Sequence, residues 1–266
     1  MKPLTEFPLG ARRTIRGVFC DIDDTLSTAG RLTAEAYSAM QHLQQAGLLV
    51  IPVTGRPAGW CDHIARMWPV DGVVGENGAF YFRHDRTAHK MRRHFVHDVA
   101  TRMEHRARLA QIGREIIAAV PGSAIATDQH YRETDLAIDF CEDVPSLPPS
   151  AIDEIALRME KYGLTAKVSS IHVNGWFGSY DKLGMTKTLM REVFAVDLDA
   201  ARDNYVFVGD SPNDAPMFGY FPHAVGVANI LDFGARVATL PAYVTVQRCG
   251  AGFAETTEYL LAAQSP

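Results

Sequence analysis

The stretch Val18-Phe19-Cys20-Asp21-Ile22-Asp23-Asp24-Thr25 decides how this chain is read. A short apolar run closed by polar residues has the pattern of a buried strand in a parallel sheet. A second stretch much later in the chain, Val206-Phe207-Val208-Gly209-Asp210-Ser211-Pro212-Asn213-Asp214, has the same design. Ligands of open parallel sheets bind at the carboxyl ends of the strands. The two stretches are therefore expected to bring Asp21, Asp23, Asp210 and Asp214 into one crevice. Carboxylates that close repel one another unless a cation or protons sit among them. Mg²⁺ takes a few carboxylate oxygens together with water and phosphate. The pattern thus implies a magnesium site that handles phosphate.

Outward from Asp21, strand and helix alternate. A strand is expected over Thr14–Ile22. Leu32, Ala36, Met40 and Leu43 recur at helical spacing, and Gly47 ends that helix. Leu48–Val53 reads as the next strand and runs into Thr54-Gly55-Arg56-Pro57. Val73-Val74 is a strand before the turn Glu76-Asn77-Gly78, and Ala79–Phe82 is the returning arm of a hairpin. The composition then shifts. Arg83–Arg108 holds eight Lys/Arg against three Asp/Glu, and five of the ten histidines. A long helix is expected from about Val96 to Val120, stopped by Pro121-Gly122. Strands at Ser123–Thr127 and Leu136–Phe140 follow, then a helix from Ser150 to Gly163 and strands at Thr165–Ser169 and Ile171–Trp176. Helix-strand-strand, given twice, is an α+β pattern with an antiparallel sheet. Alternation resumes with a helix through Met185, Leu189 and Val193, the strand Asn204–Gly209, and strands at Ala224–Val227 and Ala242–Val246. The expected fold is α/β: a doubly wound parallel sheet, residues 1–82 and 180–266, interrupted by an inserted α+β domain, residues 83–179.

Bulk properties narrow the function. The chain has 266 residues, 47% apolar and 21% charged, with a formal charge of −5. That balance offers no footprint for nucleic acid or an anionic membrane. No apolar stretch is long enough to span a bilayer, and the N-terminal segment lacks the apolar block of a signal peptide. Cys20, Cys61, Cys141 and Cys249 are widely spaced, without Cys-x-x-Cys. They read as thiols of a reducing cytosol, and a cytoplasmic location is expected.

The chemistry rests on a few side chains. Asp21 and Asp23 stand two apart, on one side of a strand. One carboxylate can act as a nucleophile, and the other can pass a proton to the leaving oxygen. The competing reading is an acidic turn capping a helix. Thr54 with Gly55 at a helix N-terminus is a phosphate contact, although Thr is also a common N-cap. Lys182, in Tyr180-Asp181-Lys182-Leu183-Gly184, can hold phosphate and offset the carboxylates, or be a solvated lysine. Asp210 can bind the metal, with Asp214 orienting its ligands. In the insertion, His130, Arg132, His172, Asn174 and Trp176 lie near strand ends or turns, and Ser170 with them. Polar groups beside an aromatic suit a sugar. His94, His97 and Asp98 mimic metal spacing, but a solvated helix start accounts for them.

The order of these motifs, Asp-x-Asp-x-Thr, Thr-Gly, Lys, Gly-Asp-x-x-x-Asp, resembles the haloacid dehalogenase superfamily of phosphohydrolases over nearly the whole chain. The insertion resembles its C2-type cap. Glu76-Asn77-Gly78 and the Asp210–Asp214 segment resemble the Cof-type and sugar-phosphatase branch, which marks Asn77 as a further specificity candidate. The resemblance implies that Asp21 is the nucleophile and Asp23 the general acid/base. It implies that Thr54 and Lys182, with Gly55 and Asn213, bind the phosphoryl group. It places Mg²⁺ on Asp21, the Asp23 backbone carbonyl and Asp210, near Asp214. Two departures stand out. Lys182 is followed by Leu183 where many relatives have glycine, which leaves Lys187 as a competitor, and Asp24 stands where many relatives have glycine. The expected activity is phosphomonoester hydrolysis on a small sugar phosphate or related metabolite. The alternatives are a phosphomutase or phosphotransferase using the same aspartate, a receiver-type signalling domain, which is much shorter and has no insertion, and a catalytically silent binding protein.

Overall fold

The computed structural model describes residues 1–264. A six-stranded parallel sheet runs in the order Lys2–Pro3, Tyr243–Val244, Val225–Gly226, Tyr205–Gly209, Gly17–Cys20, Leu49–Pro52. The two diagnostic stretches are neighbours: Val206 pairs with Val18, Phe207 with Phe19 and Val208 with Cys20. Cys20 also pairs with Pro52 on the other side. The three strands therefore end at one level, and Asp21, Thr54 and Asp210 leave the sheet along one edge.

Strand side chains alternate between faces, and both faces of this sheet are covered, as in other wholly parallel sheets. Val18, Cys20, Val206 and Val208 face a core closed by Met40 and Leu43, Ile64, Phe253 and Leu260. Phe19, Tyr205 and Phe207 face a second core closed by Met185, Leu189, Met190, Met217 and Phe218. Each such side chain contributes roughly 1.5–3 kcal/mol on burial. The run is apolar on every position because neither face meets water. The strand begins at Gly17 rather than Thr14, since Leu9–Thr14 is a short helix.

Val53 forms one parallel bridge to Val74, and from there an antiparallel ribbon, Val73–Gly75, Phe80–Asp85 and Lys90–Phe95, extends the core. The change expected at Arg83 falls inside a strand. The basic segment to Phe95 pairs back onto Phe80–Asp85, and Phe95 packs against Phe80 and Phe82. The pattern of that segment is hard to read because both faces of the ribbon carry arginines over aromatic rings, Arg83 and Arg92 on one and Arg93 on the other.

The insertion builds a separate antiparallel sheet, Thr165–Val168, His172–Trp176, Asp135–Asp139, Ala124–Ile125. Two helices, Val99–Ala119 and Pro149–Lys161, cover one face. Asp98 caps the first, accepting from the Thr101 N–H. Leu136, Ile138 and Val173 point into these helices, against Ile112, Ile116, Ile155 and Met159. The alternate positions, Asp135, Asp139, His172 and Asn174, form a buried polar face on the other side.

Candidate active site

The sheet edge gathers carboxylates around one lysine. Lys182 starts the helix Lys182–Phe194, whose N-cap Asp181 accepts from the Gly184 N–H. Gly78, at φ +103, meets Asp181 so closely that an added Cβ would overlap its carbonyl. That close approach seats the helix start against the Glu76–Gly78 turn. Lys182 Nζ then donates to Asp21 Oδ1 at 2.7 Å and to Asp214 Oδ1 at 2.8 Å. Asp214 Oδ2 accepts from the Asp210 and Ser211 N–H groups. Asp210 accepts from Thr25 Oγ1 at 3.3 Å and Asn229 Nδ2 at 3.1 Å. Lys187 lies elsewhere, on Asp199 at 2.6 Å.

Asp21, Asp210 and Asp214 are all buried, and one oxygen of each lies within 4.8 Å of the others. Burial pushes the Asp21 carboxyl up to about 7; Lys182 pulls against this, while Asp214 and Asp23 add to it. Burial, then Asp21 and Asp214, raise the Asp210 carboxyl well above its usual range. The Lys182 ammonium is held above its ordinary value although burial opposes it, because Asp21 and Asp214 flank it. Three carboxylates against one ammonium leave negative charge uncompensated. A donor set made of carboxylate oxygens suits a hard divalent cation such as Mg²⁺.

A second network joins this edge to the insertion. Arg56, directly after Thr54-Gly55, grips Asp23 through Nε, at 3.0 Å to both oxygens, and Nη2, at 2.8 Å to Oδ1. The same guanidinium reaches Glu142 at 2.7 Å and Asp128 at 3.4 Å. From the other side, Arg132 donates to the Gly55 carbonyl at 2.9 Å and pairs with Asp128 and Asp135. Asn174 Nδ2 also donates to Asp135, and His172 Nε2 lies 2.9 Å from Glu142. Glu76 is fully buried and accepts from the Ala58, Glu133 and Thr134 N–H groups and the Thr134 hydroxyl. Burial and Asp135 push its carboxyl up to about 7, while Thr134 and Arg132 pull the other way. Burial works against the Glu142 carboxylate too, but His172 and Arg56 bring it down to about 2.

Between the networks lies a cavity lined by Asp21, Asp23, Gly55, Arg56, Asn213 and Ser211 on one side and Ser169, Ser170, His172 and Asn174 on the other. Its volume of about 10 Å³ is room for one water. Thr54 is fully buried, with its hydroxyl accepting from the Arg56 N–H at 3.0 Å. Asn77, at φ +55, is buried beside Gly55 with Nδ2 unpartnered. Asp24 takes φ +55, a region that favours glycine and that Asp tolerates. Two candidates lie away from the cavity. His130 is exposed, against Thr127 and the Tyr131 ring, because the turn after Ala124–Ile125 points it outward. Trp176 shares the polar face of its strand but stacks on Tyr180 and donates to the Tyr180 carbonyl. Arg56, Asp128 and Glu142 carry no signal as isolated residues. Asp135 and Asp139 do have one: acids alternating with Leu136 and Ile138 mark a polar sheet face.

Residues 18–113 match the family model for haloacid dehalogenase-like hydrolase. A curated phosphoglycolate phosphatase of Methanosarcina mazei is 32% identical over 136 residues, 50% of this chain and 53% of that protein. The chain thus spans about half the length of the curated relative it matches. A solved structure from Thermoplasma acidophilum superposes with a TM-score of 0.69 at 18% identity, covering 93% of this chain and 98% of that one. The sucrose-phosphatase of Synechocystis sp. PCC6803, in complex with sucrose and phosphate, superposes at 0.59 and 14% identity, covering 92% and 98%. These likenesses are of fold. Among the described residues no helix is long and apolar enough to cross a membrane. Over residues 18–113 the chain is thus similar to haloacid dehalogenase-like hydrolases, and its parallel sheet with the inserted antiparallel unit shares the fold of these solved structures.

Proposed function

We propose that this chain is a magnesium-dependent phosphomonoester hydrolase that works through an aspartyl-phosphate on Asp21. The observation that carries this reading is Lys182 Nζ held between Asp21 and Asp214, with an Asp210 oxygen within 4.8 Å of one oxygen on each of those two carboxylates. Asp21 attacks phosphorus, and the bond to the leaving oxygen breaks as Asp23 delivers a proton to that oxygen. Asp23 then takes a proton from water, and the resulting hydroxide displaces phosphate from Asp21. Lys182 stabilises charge on the phosphoryl oxygens, with Thr54, Gly55 and Asn213 around them. Asp21, Asp210, Asp214 and the Asp23 carbonyl would hold Mg²⁺, which when bound neutralises phosphoryl charge.

The four-stranded sheet and its helices, within 83–179, serve as the cap over a core of 1–82 and 180–266, with the ribbon to Phe95 standing on the core side. The cavity is too small for an ester, so substrate entry requires the cap to lift. The cap face offers Ser169, Ser170, His172 and Asn174, groups suited to the hydroxyls of a small sugar phosphate. The fold likeness to a sucrose-phosphatase favours the same class.

The test is phosphate release from para-nitrophenyl phosphate with Mg²⁺ and with chelator. Asp21→Asn removes the nucleophile, and kcat should fall by about 10³-fold or more. Wild-type turnover in chelator, or by the Asn variant, would defeat the reading.

A further inference from the structure

The cations at the cavity are already spoken for. Lys182 is shared by Asp21 and Asp214, and Arg132 by Asp128 and Asp135. Arg56 is shared by Asp23, Asp128 and Glu142. Of these carboxylates, Glu142 alone also touches His172, a lining residue of the cap wall. Its loop is built to present it. Asp139, on the buried face of the cap sheet, accepts from the N–H groups of Cys141, Glu142 and Asp143 at 2.8–2.9 Å. That three-point hold fixes where the Glu142 side chain leaves the backbone.

A phosphoryl group at Asp21, with its leaving oxygen at Asp23, would put the rest of the substrate against Arg56, His172 and the cap serines. A leaving group that carries its own carboxylate needs a free cation there. It would instead meet Glu142 on the cap side of Arg56, and two carboxylates at one buried guanidinium repel. An uncharged polyol meets no such opposition and finds hydroxyl, amide and imidazole partners. We propose that Glu142 is a specificity-determining residue that occupies Arg56 and excludes carboxylate-bearing leaving groups from this site. It rests on the reading of the site as a phosphomonoesterase, and it selects by repulsion rather than by a new attraction.

A matched pair of esters tests it. 2-Phosphoglycolate and 2-hydroxyethyl phosphate are of similar size and differ in a carboxylate against an alcohol. The wild-type protein, with Mg²⁺, should favour the alcohol in kcat/KM. Glu142→Gln, which keeps the shape and removes the charge, should raise the glycolate-to-alcohol ratio about tenfold or more, mainly through the KM of the glycolate ester. Glu142→Asp, which keeps the charge, should stay close to the wild-type ratio. Calorimetric titration of both esters into each protein gives the same ratio from binding alone, so failure of the hydrolase reading would show as binding without phosphate release. A ratio unchanged between wild type and Glu142→Gln, or a wild type that already favours the glycolate ester, overturns the proposal.

Discussion

Asp21, Asp210 and Asp214 share one internal cation, Lys182, whereas a few ångströms away Arg56 and Arg132 are divided among Asp23, Asp128, Asp135 and Glu142. The first cluster is short of positive charge, and burial, with the neighbouring carboxylates adding to it, raises the Asp21 and Asp210 carboxyls. The second has two guanidinium groups for four carboxylates, an equal deficit, but its forks face those carboxylates through paired hydrogen bonds. The difference separates two jobs. Under the proposed function the first would take up a cation and a phosphoryl group, whereas the second ties Arg56 and Arg132 to acids far apart in the chain.

Breaking the first cluster should have the largest effect after loss of Asp21 itself. Lys182→Ala leaves buried carboxylates without their ammonium and should cost about 3–5 kcal/mol of stability, together with most of the phosphate release. Added Mg²⁺ should recover part of the melting temperature, because a cation bound only by the folded state stabilises it. Thermal melts with and without Mg²⁺ read this directly; a variant as stable as wild type without metal would mean that the cluster does not depend on Lys182.

The junction should yield more gently. Above about pH 7, where Glu76 is ionised and all its hydrogen-bond partners are donors, Glu76→Gln turns an NH₂ group toward one of them and should cost about 1–3 kcal/mol. Faster amide exchange at Glu133 and Thr134 would localise the damage. Titration gives a second readout. Because its folded-state carboxyl is raised to about 7, the folded protein holds that proton where the unfolded chain has lost it. Its contribution to stability therefore declines as pH rises from about 4.5 to about 7. The groups that face it are the Ala58, Glu133 and Thr134 donors, Arg132, Asp135 and Cys61. Denaturant melts across that window should lose this part of their slope in Glu76→Gln, and an identical pH profile would count against it.

The smallest effect is expected at Lys187, whose partner Asp199 is exposed. Exposed pairs contribute little, so Lys187→Ala should leave the melting temperature and phosphate release where they were. A large loss there would instead reassign the phosphate lysine.

Much of the core was legible because its signals are local. Val18–Cys20 and Val206–Val208 are apolar at every position since both sheet faces are covered, and acids at their ends follow the general rule for ligand sites in parallel sheets. The Lys182 assignment was legible only through the order of motifs, since nothing near it excludes Lys187. In the insertion, Leu136 and Ile138 signal a strand, but the meaning of Asp135 and Asp139 lies in which face meets the core. His130 and Trp176 were attractive by residue type, yet a turn and a stacking partner send them elsewhere. The basic run after Arg83 reads as a hairpin and a solvated helix face before it reads as a strip for an anionic substrate, and its pairing with Phe80–Asp85 is fixed only in the folded chain.

The amino-acid order determined on its own the alternating α/β framework, the two acidic strand ends and the change of pattern that marks the insertion. These follow from periodicity and from residue chemistry within about ten positions. The tertiary structure alone decided that Arg56 would hold Asp23 together with Asp128 and Glu142, that Glu76 would be buried under the Glu133–Thr134 loop, and that Glu142 would reach both Arg56 and His172. The reason is physical: what a charged side chain does depends on which opposite charge it meets and how dry the place is. Both are set by packing between segments far apart in the chain.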